Sequence, residues 1–144
     1  REMAKRVDFI SVGSNDLTQY LLAVDRNNAR VAGLYDSLHP AMLRMLLRVV
    51  EGGHGAGVEV SICGEMASDP LAVILLIAMG FDTLSMNSAS LPRVKWLIRN
   101  FSIATARKIL AEVLEFEHPA EIRLHLQKAL EEEGLAGLIR VGQT

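Results

Sequence analysis

Four side chains in the first half of the chain are of types that do chemistry together: Asn15, Asp16, Arg26 and Cys63. Asp16 offers a hard carboxylate oxygen, the ligand type of Mg²⁺. That ion takes few protein carboxylates and completes its shell with water and substrate phosphate. Arg26 carries forked donors that suit phosphate, and Asn15 adds an amide beside Asp16. Thiols ordinarily titrate at about 8.5 and stay protonated at neutral pH, so a thiol such as that of Cys63 can donate a proton to a carbanion or enolate. Glu65 is a candidate second acid and equally a turn residue or helix-start charge. Plainer readings stand beside these. Ser14, Asn15 and Asp16 can cap a helix, Arg26 can pair with Asp25 at the surface, and Cys63 can be a buried structural thiol. Residue types alone leave both readings open.

The elements that position these residues are βα units. Val7, Phe9, Ile10 and Val12 crowd β-branched and aromatic residues into six positions. Such a run, ended by Gly13, predicts a strand buried on both faces, as in a parallel sheet. Leu17, Tyr20, Leu21 and Val24 follow at helical spacing, so Asn15 and Asp16 sit where a strand hands over to a helix. In parallel α/β folds that edge is where ligands bind. After a polar stretch, Asp25 to Ser37, His39-Pro40 opens a second helix with Met42, Leu43, Leu46, Leu47 and Val50 on one face. Gly52 and Gly53 are expected to stop it. A second strand spans Val58 to Cys63, which puts Cys63 at the same sheet edge as Asn15 and Asp16. Asp69-Pro70 opens a helix, LAVILLIAM, that is apolar all round and so expected to be buried. Gly80 ends it. A short third strand lies around Thr83 to Met86, and Ser90 and Pro92 open a helix reaching Asn100. The tail differs in kind: Ser102–Phe116 and Pro119–Glu133 read as amphipathic helices. Gly134–Thr144 shows no pattern and is expected to be mobile.

Successive strand–helix units mean parallel strands with right-handed crossovers. A closed (β/α)₈ barrel needs eight such units in about 250 residues. Three units in 144 residues therefore read as the last part of such a barrel, whose first strand has lost a neighbour. The chain also opens on charged REMAKR directly before a core strand, which reads as a piece of a longer protein. Half the residues are hydrophobic with few aromatics, pointing to a heavily buried core or a face that meets something else. A net charge of −2 and the lack of an aromatic–arginine pattern exclude nucleic acid as a partner. The longest apolar run, Leu71 to Met79, is far short of the roughly 20 residues of a spanning helix, so no membrane is expected. A single cysteine excludes an internal disulfide framework and fits a reducing, cytoplasmic compartment.

Other chemistries find no support. The glycines of EGGHGAG follow a helix and precede a strand, the wrong edge for cradling phosphate. No Walker lysine motif is present. His39, His54, His118 and His125 lack zinc-ligand spacing and read as surface or capping residues. No nucleophile elbow supports a Ser-His-Asp reading.

SVGSNDLTQYLLAVDR and SICGEMASDP resemble two signature segments of the phosphoenolpyruvate-utilising enzymes. The closest resemblance is to Enzyme I, the phosphoenolpyruvate–protein phosphotransferases of the bacterial phosphotransferase system. GSNDL, VDRNN, GEMA, LSMN and VKW together look like its nitrogen-regulatory branch. The likeness covers Val7 to about Asn100 well and the tail more loosely.

The resemblance implies an α/β fold, the C-terminal portion of a (β/α)₈ TIM barrel with about three βα units plus C-terminal helices. Residues 1–100 are then the last units of a phosphoenolpyruvate-binding barrel, and 101–144 the helices and tail of the same domain. It assigns Asp16 to Mg²⁺ and to substrate, Asn15 and Arg26 to phosphoenolpyruvate, and Cys63 to protonation of the enolate carbon. The implied reaction moves a phosphoryl group from phosphoenolpyruvate to a histidine on an upstream domain of the same chain, then to an HPr-like phosphocarrier of the nitrogen branch, releasing pyruvate. A homodimer formed through this domain is also implied. The second metal carboxylate, further phosphate-clamping arginines and the phosphorylated histidine have no match in this sequence, so the piece by itself is expected to be inactive. Pyruvate phosphate dikinase and phosphoenolpyruvate synthase share the NDL and CG segments and differ after the glycine. They are the alternative barrels, and a non-catalytic dimerisation module is the alternative of another class.

Overall fold

The structure is a computed structural model that describes residues 1–140. Its strands β1 (Phe9–Gly13), β2 (Glu59–Cys63) and β3 (Thr83–Leu84) form one parallel sheet in the order β1-β2-β3. Each strand is followed by helix: α1 (Ser14–Leu22) and α2 (Pro40–His54) after β1, α3 (Pro70–Met79) after β2, and α4 (Leu91–Asn100) after β3. Helices α5 (Ile103–Val113), α6 (Pro119–Glu132) and α7 (Gly137–Arg140) complete the described chain. Helix α7 forms within the stretch expected to be mobile. Residues 141–144, on which the rest of that expectation falls, lie outside the described residues.

Strand register sorts side chains to two faces. Phe9 pairs with Glu59, Ser11 with Ser61 and Gly13 with Cys63, and Ser61 pairs with Thr83. These form one face. Ile10, Val12, Val60, Ile62 and Leu84 form the other and enter the helical core. The expectation that β1 is buried on both faces is therefore corrected: Phe9 is 67% exposed. The physical reason is that β1 is an edge strand and that the helices gather on one face of the sheet alone.

Helix α3 is the centre of the core. Eight of its residues are buried and only Ile77 and Ala78 are half-buried, because α2, α4, α5, α6 and α7 all pack on it. Asp69 caps its start by accepting the Leu71 N–H at 3.0 Å, and Gly80, at φ 94°, closes its end in a conformation that glycine adopts freely. Gly52 and Gly53 do not stop α2 as expected; the helix runs on to His54. A Cβ on Gly53 would collide with the Val60 side chain. Glycine is there so that α2 can lie close on β2, a use that outweighs its helix-breaking tendency of about 1 kcal/mol. Next to it, Asp82 Oδ2 accepts the Val60 N–H at 2.7 Å and lies 2.8 Å from His54 Nε2. These two bonds hold the Asp82 carboxyl below its ordinary value and tie the end of α2 to the sheet.

Candidate functional site

The C-terminal edge of the sheet brings the predicted residues to one place. Gly13 and Cys63 end neighbouring strands in register, so Cys63, half-buried, points to the open face. Asn15 and Asp16 lie in the first turn of α1, immediately beyond Gly13. A side chain built on Gly13 would meet Asp16 Oδ2 at 4.0 Å, which places that carboxylate beside the end of β1. Arg26 arrives by the loop after α1, held where its N–H donates to Gln19 Oε1 at 3.1 Å.

The capping reading of this turn does not hold. The N-cap of α1 is Gly13, and the helix start receives no side-chain capping bond. Asn15 bonds elsewhere: its Oδ1 accepts the Tyr35 O–H at 3.4 Å and the Glu65 N–H at 3.3 Å. A backbone N–H can only donate, so the amide must turn its oxygen toward Glu65 and its NH₂ away. Asn15 is thereby left as a donor. Its Nδ2 lies 3.5 Å from Glu65 Oε1, and Arg26 Nη1 donates to the same oxygen at 3.2 Å. Arg26 therefore pairs with Glu65 rather than with Asp25. Glu65 Oε1 is an acceptor for two donors here, the one an amide and the other a guanidinium.

Tyr35 was not legible from the sequence. It lies within the polar stretch after Arg26, and no local pattern distinguishes it. Burial pushes its phenol above the ordinary value; a hydrogen bond with Thr18 opposes this, the nearby Glu65 charge adds to it, and Arg26 opposes it.

Behind these groups the turn is packed tightly. Ser14 and Thr18 are fully buried, Thr18 Oγ1 donates to the Ser14 carbonyl at 2.8 Å, and Ser14 Oγ has no partner among the described residues. Gly64, at φ 97°, lies directly against them. A Cβ there would stand 2.4 Å from Ser14 Oγ and 3.2 Å from Asn15 Oδ1. Gly64→Ala combines a positive-φ extended conformation that only glycine adopts freely, costing about 1–3 kcal/mol, with overpacking, costing about 1–3 kcal/mol. The expected result is a loss of about 2–6 kcal/mol in the unfolding transition of this domain, read by urea denaturation. A variant within about 0.5 kcal/mol of the parent, the range of ordinary surface substitutions, would show that Ser14 and Asn15 have room to move.

Among the described residues no three His, Cys, Asp or Glu side chains converge into a group that could hold a metal. Asp16 by itself fits one ligand position of Mg²⁺. Its exposed carboxylate is in no ion pair among the described residues, whereas that of Glu65 is engaged by Arg26. The four histidines serve the scaffold. His39 Nδ1 accepts the Ala41 N–H at the start of α2, His118 precedes α6 with its N–H donating to Glu121, and His54 and His125 pair with Asp82 and Glu112. No described helix is long and apolar enough to cross a membrane.

Residues 1–103 match the family model described as the PEP-binding domain of PEP-utilising enzymes, PEP being phosphoenolpyruvate. The chain is 51% identical over 140 residues to an Escherichia coli K12 protein named "Phosphoenolpyruvate-dependent phosphotransferase system", covering 97% of this chain and 19% of that protein. It is 42% identical over 133 residues to the phosphoenolpyruvate-protein phosphotransferase of Haemophilus influenzae, covering 92% of this chain and 23% of the relative. It is 41% identical over 133 residues to a multiphosphoryl transfer protein of Escherichia coli, covering 92% and 16%. The chain thus spans about a fifth of the length of these relatives.

Proposed function

The chain belongs to the PEP-utilising enzymes, by their PEP-binding domain, and from that premise we propose that it is the C-terminal part of the catalytic domain of a phosphoenolpyruvate–protein phosphotransferase. The observation that carries the proposal is the meeting of Asn15, Asp16, Arg26 and Cys63 at the C-terminal edge of one parallel sheet, within the segment the family model matches. The names of the relatives favour a phosphotransferase over a dikinase or synthase.

In the proposed reaction the phosphoryl group leaves phosphoenolpyruvate for a histidine elsewhere in the enzyme, and pyruvate enolate remains. Asn15 Nδ2 and Arg26 hold the anionic groups of phosphoenolpyruvate, taking over from Glu65 Oε1 the two donors that it now engages. The Cys63 thiol gives its proton to the enolate carbon, yielding pyruvate and a thiolate that is reprotonated from solvent. Asp16 would hold Mg²⁺ by one carboxylate ligand, and the ion would supply charge neutralisation for the phosphoryl group. Phosphoryl transfer depends mainly on positioning and charge neutralisation, so one carboxylate and one arginine need further groups from the rest of the protein.

The sheet's open face supports a (β/α)₈ barrel. Phe9, Ser11, Glu59, Ser61 and Thr83 are on the side that would be a barrel's interior, and the helices are all on the other. One core cluster running from Val12 to Leu135 supports placing 1–100 and the following helices in a single domain. The phosphocarrier is of the HPr type, the branch nitrogen-regulatory and the compartment the cytoplasm. Leu91 and Trp96, exposed on α4, support a homodimer.

Isothermal titration of the complete protein with phosphoenolpyruvate tests the reading. Binding that requires Mg²⁺ is expected. No heat with or without Mg²⁺ would overturn it.

A further inference from the structure

The two bonds that orient the Asn15 amide trace back to two arginines, one on α6 and one on α4. On one side, Tyr35 donates to Asn15 Oδ1. The next residue, Asp36, receives Arg123 of α6, whose Nη2 lies 3.0 Å from Oδ1 and 3.2 Å from Oδ2. Asp36 Oδ1 also accepts the Leu38 N–H at 2.9 Å, which fixes the carboxylate within its own loop. On the other side, the Glu65 N–H donates to Asn15 Oδ1. The Glu65 carbonyl accepts Ser68 Oγ at 3.0 Å, and the Ser68 carbonyl accepts Arg93 Nη2 of α4 at 3.1 Å.

The arginines belong to one group of charges. Burial pushes the Asp69 carboxyl up, the Leu71 N–H opposes this, and Arg123 and Arg93 both pull it down while Asp36 adds to the rise. The loop that carries Tyr35 and Asp36 is a succession of hydrogen-bonded turns, including a 3₁₀ turn at Ala32–Leu34, and has no α-helix or strand of its own. The Arg123–Asp36 contact is partly exposed, with side chains 42% and 28% accessible, so it adds little stability. Its geometric effect is a separate matter. It joins the loop that touches the site to a helix that lies beyond the residues matched by the family model.

We propose that Arg123 is a positioning residue: through Asp36 and Tyr35 it fixes the orientation of the Asn15 side chain, and with it the grip of the site on an anionic substrate. The identity of that anion rests on the function proposed above; the mechanical link does not.

The test uses the complete protein and has two independent arms. Hydrogen–deuterium exchange without substrate should show faster exchange across residues 27–38 in Arg123→Gln than in the parent. Steady-state kinetics should show a KM for phosphoenolpyruvate raised about tenfold, with kcat nearly unchanged, as displacement of a binding group predicts. In a Tyr35→Phe background, Arg123→Gln should have no further effect on KM, because the link is already cut. Arg123→Lys should fall between. Unchanged exchange, multiplicative effects of Arg123→Gln and Tyr35→Phe, or unfolding of Arg123→Gln and Arg123→Lys alike would each overturn the proposal, the last by showing a purely structural bond. If the parent protein does not bind phosphoenolpyruvate, the proposed function fails, and the exchange arm still decides the link.

Discussion

Replacing Cys63 with alanine in the complete protein is expected to lower turnover by about 10²–10⁴-fold, the range for loss of a general acid. Phosphoenolpyruvate affinity should stay within about threefold, since a proton donor acts in the transition state rather than in ground-state binding. The thiol stands at the end of β2 on the sheet's open face, in register with Gly13, and makes no disulfide. Truncation removes a half-exposed sulfur at an edge, so the fold should lose little. The structural reading of Cys63 predicts the reverse: a lowered unfolding temperature with normal activity. Rapid-quench measurement of pyruvate formation, beside a melting curve, separates the two. Unchanged turnover in Cys63→Ala would remove this residue from the chemistry.

Asp16→Ala should be nearly as damaging to turnover, by about a thousandfold, if several kcal/mol of charge neutralisation depend on the ion it is proposed to bind. Its stability cost should be small. Gly13 is the N-cap and no side chain bonds the helix start, so only the interaction of a first-turn carboxylate with the helix dipole is lost, about 0.3–1 kcal/mol. Raising Mg²⁺ should recover part of the activity of Asp16→Asn and less of that of Asp16→Ala, because the amide keeps one oxygen donor. A Mg²⁺ dependence identical to the parent's in both variants would show that Asp16 does not bind the ion.

The placement of Asn15, Asp16 and Cys63 at one sheet edge could be read from the sequence because each is placed by its own neighbours. A strand ends at Gly13 and a helix begins at once, so Asn15 and Asp16 fall in its first turn. Cys63 ends the next strand by the same logic. What surrounds them was not legible, because it is assembled from remote stretches. Tyr35 and Glu65 reach Asn15 from positions 20 and 50 residues away, and Arg123 meets Asp36 across 87. No periodicity records such pairings. Gly53 was misread for a related reason. Its local effect is to break a helix, and the reason for its presence, the approach of Val60, appears only once α2 lies on β2. The exposed face of β1 follows the same rule: a run of Val, Phe and Ile states that burial is favourable, not which neighbour supplies it.

Helix α3 has a consequence for synthesis on the ribosome. It has no side suited to water, and its cover comes partly from α2, made before it, and partly from α5 and α6, made after it. During translation there is an interval in which an apolar helix is present with its later partners still unmade. Domains fold largely as units, and transiently exposed apolar surface is where aggregation begins. The order of elements along this chain therefore makes completion of the helices after α4, α5 above all, the event that ends its exposure. A stalled or truncated product ending before Ile103 should be held by chaperones or aggregate.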